Sequence, residues 1–185
     1  MKNIESFNSE KLHALLLSLK ASRKEREQAA KWVAHNPETF INLLNWALQP
    51  QKSRLHQAAA WVLELVLLEN IDRLQPYFNH FLDKLPQITS ESSKRPLSKI
   101  LFHYVRWQAQ NNPLTTGQKK KIISLCFDWL LLPSKTATLA FAIKILIHFQ
   151  KEYPWVKENL SDFAQNQIVN PSAGLRASLR SIFKK

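Results

Sequence analysis

The chain has 185 residues, 45% of them hydrophobic, with 26 Lys and Arg against 14 Asp and Glu and a formal net charge of +12. Two glycines and one cysteine exclude a glycine-turned β-protein, a glycine-rich nucleotide loop and an intramolecular disulfide. The length suits one well-cored domain over 1–185.

The apolar runs are broken by Glu64, Asp128 and Lys144 before they reach the roughly 18 residues of a membrane helix. Leu15-Leu16-Leu17 is too short for the core of a signal peptide, so a cytoplasmic protein without a membrane partner is expected.

Leu12, Leu15, Leu16 and Leu19 recur at helical spacing and predict a helix over 9–20. A second helix is predicted over 23–35, with Ala30, Val33 and Ala34 inward. Asn36-Pro37-Glu38 then reads as a cap, a first-turn proline and a first-turn acid opening a helix over 37–48. Pro50 ends it. Leu55, Ala59, Val62 and Val66 mark the next helix, and its partner is expected over 71–85 despite Pro76. The stretch 87–93 reads as a loop, with a new helix opening near Pro96 and turning Ile100, Leu101, Tyr104 and Val105 inward.

Thr115 and Gln118 have the spacing of a capping box, placing a helix from there to Leu132. Pro133-Ser134 reads as a stop and a cap. The following helix, with Leu139, Ala142, Ile143, Leu146 and Ile147, is apolar nearly all round, as a helix covered by both neighbours should be. A partner follows Tyr153-Pro154 with Val156, Leu160, Phe163 and Ile168. Pro171-Ser172 opens a last helix carrying Leu175, Leu179, Ile182 and Phe183.

One phrase returns: Gln28-Ala29-Ala30-Lys31-Trp32-Val33 and Gln57-Ala58-Ala59-Ala60-Trp61-Val62. Prolines 37, 76, 113 and 154 are separated by 39, 37 and 41 residues. Helix pairs of this period, with a small-apolar phrase in the first helix and a proline near the turn, resemble HEAT repeats. The resemblance covers about residues 22–185. It implies an all-α, right-handed α–α superhelix of about four HEAT-like helix pairs with terminal capping helices. It also implies binding of proteins or nucleic acids along a curved face.

One HEAT-like group, the alkylpurine DNA glycosylases, is similar in being basic and rich in tryptophan. It places tryptophans and an aspartate around the damaged base, and Asp128-Trp129 is the adjacent Asp-Trp pair here. The stretch Ser92–Lys99 faintly resembles the signature loop of the fumarase/adenylosuccinate lyase superfamily. Arg95 replaces its methionine, no Asn follows Lys99, and Ser93 and Pro96 read as a helix start.

Local chemistry is sparse. Histidines 13, 35, 56, 80, 103 and 148 lack metal-ligand spacing, and neither a metal nor a cofactor is expected. Cys126, in an apolar run, reads as a small buried hydrophobe. Trp32 and Trp61 read as packing between repeats. Arg106-Trp107 is a candidate for stacking or hot-spot binding.

The cations are patterned. Arg23, Lys24 and Arg26, then Lys52 and Arg54, then Lys94, Arg95 and Lys99, then Lys135 stand at successive first-helix starts. Arg176 follows in the last helix. In a solenoid equivalent positions line up along one edge, so a basic ridge is expected. The stretch 94–133 carries +6 and 134–185 carries +5 of the total charge. An acidic protein or a nucleic acid is the expected partner of a non-catalytic binding or scaffold module. A glycosylase-like enzyme and a scaffold binding through apolar contacts alone are the alternatives.

Overall fold

Wherever apolar residues recur every three or four positions, the chain is helical. A computed structural model describes residues 4–20, 22–111, 113–132, 135–166 and 173–180, and among these residues there is no strand. The fold is all-α: α1 (Ile4–Ser18), α2 (Arg23–His35), α3 (Phe40–Ala47), α4 (Arg54–Glu69), α5 (Phe78–Lys84), α6 (Glu91–Asn111), α7 (Thr116–Leu131), α8 (Thr136–Phe149), α9 (Pro154–Asn166) and α10 (Ala173–Arg180). The chain divides into two compact units, Met1–Tyr104 and Val105–Lys185, the division falling inside α6.

In the first unit α4 is the central helix, packing against α1, α2 and α3. Its Ala58, Ala59, Ala60, Val62, Leu63, Val66 and Leu67 are buried. The three successive alanines let neighbouring backbones approach closely. Leu12, Leu16 and Leu19 of the N-terminal segment are buried as their spacing predicts. Serines open two helices: the Ser22 side chain accepts the Glu25 amide at 3.2 Å, and Ser53 accepts the His56 amide at 3.1 Å. Each bond satisfies a donor that the first turn leaves without an intrahelical partner, worth about 1 kcal/mol.

Ala34, expected inward on α2, is exposed, and local prediction of the helix bounds and caps gives way at four places. First, α1 begins at Ile4, earlier than expected. Second, Asn36 makes no side-chain cap for the segment after it. Its amide nitrogen instead donates back to the Trp32 carbonyl at 2.7 Å, closing α2. A 3-10 turn, Pro37–Thr39, then leads into α3.

Third, the helix expected over 71–85 is a 3-10 segment (Ile71–Tyr77), then α5, then a second 3-10 turn (Leu85–Gln87). Pro76 has no amide to donate, and the α-helix forms only beyond it. Fourth, α6 begins at Glu91 rather than Pro96. The Ser90 carbonyl accepts the Lys94 amide at 2.8 Å, and Pro96 lies inside the helix.

That internal proline has a compensation. Pro96 cannot donate to the Ser92 carbonyl, its partner four residues back. Trp61 Nε1 on α4 donates to that same carbonyl at 3.2 Å. A tryptophan of the repeated phrase thus completes the backbone of another helix. On the same helix Tyr104 is buried and stacks on Phe78 of α5 at 4.1 Å between ring centroids.

In the second unit α8 packs against α7, α9 and α10, as its near-continuous apolar surface predicts. The capping box at the start of α7 is present. The Thr115 side chain accepts the Gln118 amide at 3.2 Å, and the Gln118 side chain accepts the Thr115 amide at 2.9 Å. Cys126 is fully buried on α7, and desolvation, with Asp128 adding, pushes its thiol far above the ordinary value. It is a protonated core side chain. The readings placed on Pro133-Ser134, Ile168, Pro171-Ser172, Ile182 and Phe183 lie outside the described residues.

Candidate functional site

The starts of α2 and α6 both reach the middle of α4, at Trp61, the eighth residue of that helix. The Arg26 guanidinium of α2 lies 5.6 Å from the Trp61 ring centre on α4, and Trp61 reaches Ser92 in the first turn of α6. Farther along, Lys99 of α6 meets Glu64 of α4 at 2.6 Å. The contacts Trp61–Ser92 and Glu64–Lys99 advance together along both helices, so α4 and α6 run in the same direction.

The cations at these starts separate into two groups. Arg23, Lys24, Lys52, Arg54 and Arg95 are exposed. Arg23 pairs with Glu27 at 2.7 Å, a hydrogen bond and attraction that raise its pKa. The pair is open to solvent, so its guanidinium remains available to a stronger anion. Arg54 Nη2 donates to the Leu19 carbonyl at 3.3 Å, anchoring one end of its fork.

Arg26, Lys94 and Lys99 are drawn inward. Arg26 donates to the Ser22 carbonyl at 3.3 Å while lying over Trp61. Lys94 is buried beside Glu91 at 3.1 Å. Lys99 is partly buried in its bond to Glu64. Sequence spacing places all eight at helix starts; because α6 begins at Glu91, Lys99 lies instead in its third turn, and spacing does not reveal which cations a neighbouring carboxylate or ring has taken.

Trp32 and Trp61, the phrase tryptophans, are half-buried, and each meets a cation from an earlier helix. Lys11 of α1 lies 5.7 Å from the Trp32 ring centre, as Arg26 does for Trp61. Both rings therefore join one helix to another.

The second unit holds the other named residues. Arg106 is exposed and Trp107 half-buried on α6, and Lys135 and Arg176 are exposed at α8 and on α10. Arg106 belongs to a group that sequence reasoning missed. Burial lowers the His148 pKa, Arg106 and Lys119 lower it further, and Glu152 opposes them. Lys119 is held by both oxygens of Glu152, at 2.8 and 2.9 Å. Lys119, His148 and Glu152 also line a cavity of about 190 Å³ with Val105, Ala109 and Leu114. These residues lie as much as 46 positions apart in sequence (Arg106 to Glu152), which no local motif registers.

Asp128 and Trp129 do not present together: Asp128 is exposed and Trp129 is buried. Among the described residues no three of His, Cys, Asp and Glu gather in a way that could hold a metal ion. None of their helices is long and apolar enough to cross a membrane. Comparison with models of known families, with curated proteins and with solved structures returns no match to this chain.

Proposed function

We propose that this chain is a HEAT-like module that binds an anionic macromolecule through cations near the starts of α2, α4 and α6. In this reading α2/α3 and α4/α5 are successive repeats of a right-handed α–α superhelix. Two observations support it: the Arg54–Leu19 bond ties the start of α4 to the segment leading into α2, and the Arg26–Trp61–Ser92 connection brings the starts of α2 and α6 to the middle of α4; the exposed side chains there include Lys24, Lys52 and Arg95. Lys24 and Lys52 stand at helix N-termini, where a cation opposes the helix dipole, so helix stability does not explain them; Arg95 lies just beyond the first turn of α6. An external row of phosphates or carboxylates compensates them.

Binding of this kind releases counterions, and each phosphate neutralised steepens the salt dependence by about 0.9 in log–log slope for duplex DNA. Titrating labelled duplex DNA, single-stranded RNA and a poly-glutamate peptide across a salt series tests the reading. Affinity for at least one of them falling steeply with salt is the expected outcome. Negligible or salt-independent binding to all three overturns it.

A further inference from the structure

The second unit carries a groove of a different character. It lies between α7 and α9 and encloses about 320 Å³. Phe127, Trp155 and Phe163 give it aromatic walls, with Leu130 and Leu131 beside them. Phe127 and Trp155 stack at 5.8 Å with their planes 25° apart. Trp155 is 47% exposed, and Leu131 and Leu132 at the end of α7 are 70% and 57% exposed. Large apolar side chains left this open beside a pocket mark a contact surface rather than packing.

The polar lining is specific in kind. Asn159 uses its amide nitrogen to donate to the Trp155 carbonyl at 2.8 Å. What it retains for a ligand is chiefly its oxygen. Asp162, the other polar residue of the lining, is an acceptor too. Aromatic faces carry negative potential. The polar and aromatic features of the groove therefore favour a hydrogen-bond donor, and the Asp162 carboxylate favours one that is cationic.

The surrounding charge agrees with this. Residues 105–185 hold twelve Lys and Arg against four Asp and Glu. Of the four acids, Glu152 is engaged by Lys119. Asp162 lines the groove, and Glu158 stands three residues after Trp155 and four before Asp162, on the same face of α9. Asp128 follows Phe127 on α7. Lys157 is two residues from Trp155 and falls on another side of the helix. Two of the four acids of a basic unit thus stand on the α9 face that carries the groove, Asp162 in its lining and Glu158 beside it, and among the described residues neither carries an ion pair.

We propose that this groove docks an arginine side chain of a partner polypeptide, with an adjacent apolar residue of that partner resting on Leu131 and Leu132. A guanidinium stacks flat on aromatic rings and presents several N–H donors in one plane, matching the Asn159 oxygen and the Asp162 carboxylate. A lysine ammonium lacks the planar fork. The exposed leucines at the end of α7, Leu131 on the groove's edge and Leu132 next to it, favour a peptide over free arginine, because only a peptide brings apolar area to cover them.

The test uses the full chain and fluorescein-labelled peptides with a Leu-Arg-Leu centre. Matched peptides carry lysine or the uncharged isostere citrulline instead of arginine, and free arginine methyl ester serves as competitor. The arginine peptide is expected to bind about tenfold more tightly than the citrulline peptide, in line with a desolvated cation–π contact. Asp162→Asn and Trp155→Ala should each weaken it by a similar factor, with helical circular dichroism unchanged. If Trp155→Ala perturbs folding, Asp162→Asn alone decides. Equal affinity for arginine and citrulline peptides, or no effect of Asp162→Asn, overturns the proposal. Arginine methyl ester matching the peptide in affinity overturns the peptide as its source.

Discussion

His148 shows how a side chain of ordinary type acquires a distinct role from its surroundings. Its pKa lies below the usual 6.5, because burial disfavours the charged ring and Arg106 and Lys119 repel it, against an opposing Glu152. The ring therefore takes up its proton later in the folded chain than in the unfolded one. Above about pH 6.5 both forms are neutral and the full stability is present. As pH falls below that value, the unfolded chain is protonated first and stability is lost, until the folded ring titrates as well. The urea midpoint should be lower at about pH 5.5 than at about pH 7.5, and His148→Gln should reduce that difference. A variant with the wild-type pH dependence would show that the ring is not under this electrostatic pressure. Nothing around His148 in the sequence announces this, since Arg106 and Lys119 come from other helices.

Helices were legible where the information is local. The α2 span follows from the spacing of Ala30 and Val33, and the start of α7 from Thr115 and Gln118. Helices were misread where a proline had to be interpreted without its neighbours. Pro96 suggested a helix start because that position tolerates a missing amide at no cost. The chain instead begins α6 five residues earlier and satisfies Ser92 from Trp61, 31 positions away. This account is testable by a double-mutant cycle. Trp61→Phe keeps an aromatic ring but removes the donor together with part of the indole's packing, and should cost at least about 1 kcal/mol in urea unfolding, the usual net worth of one hydrogen bond. In a Pro96→Ala background residue 96 regains an amide that can reach Ser92, so the same Trp61→Phe change should cost clearly less. Equal penalties in both backgrounds would mean that the indole contributes packing alone. The candidate site divides in the same way. Its cations could be read at helix starts, whereas the retirement of Lys94 to Glu91 and of Lys99 to Glu64 depends on how α4 meets α6.

At the scale of the whole molecule the question is whether charge acts by amount or by place. The segment 1–104 holds fourteen Lys and Arg against ten acids, a smaller excess than the twelve against four of 105–185. If an anionic partner responded to bulk charge, the second unit would dominate binding. The proposed site lies instead in the less basic unit, where Lys24, Lys52 and Arg95 are exposed near the starts of α2, α4 and α6. Two charge-reversal triples separate these possibilities at the same net charge. One is Lys24→Glu, Lys52→Glu and Arg95→Glu. The other is Lys120→Glu, Lys151→Glu and Lys157→Glu, at positions that are equally exposed in the second unit. Both change the field of the molecule by the same amount, so both should slow association to a similar extent. Only the first should flatten the salt dependence of equilibrium binding, by about 0.9 in slope for each phosphate contact it removes. The flattening should be absent from the second triple, even if its affinity falls. Equal slopes in the two triples would show that these helix starts are not where the anion sits, because a screened long-range field does not distinguish the two sets.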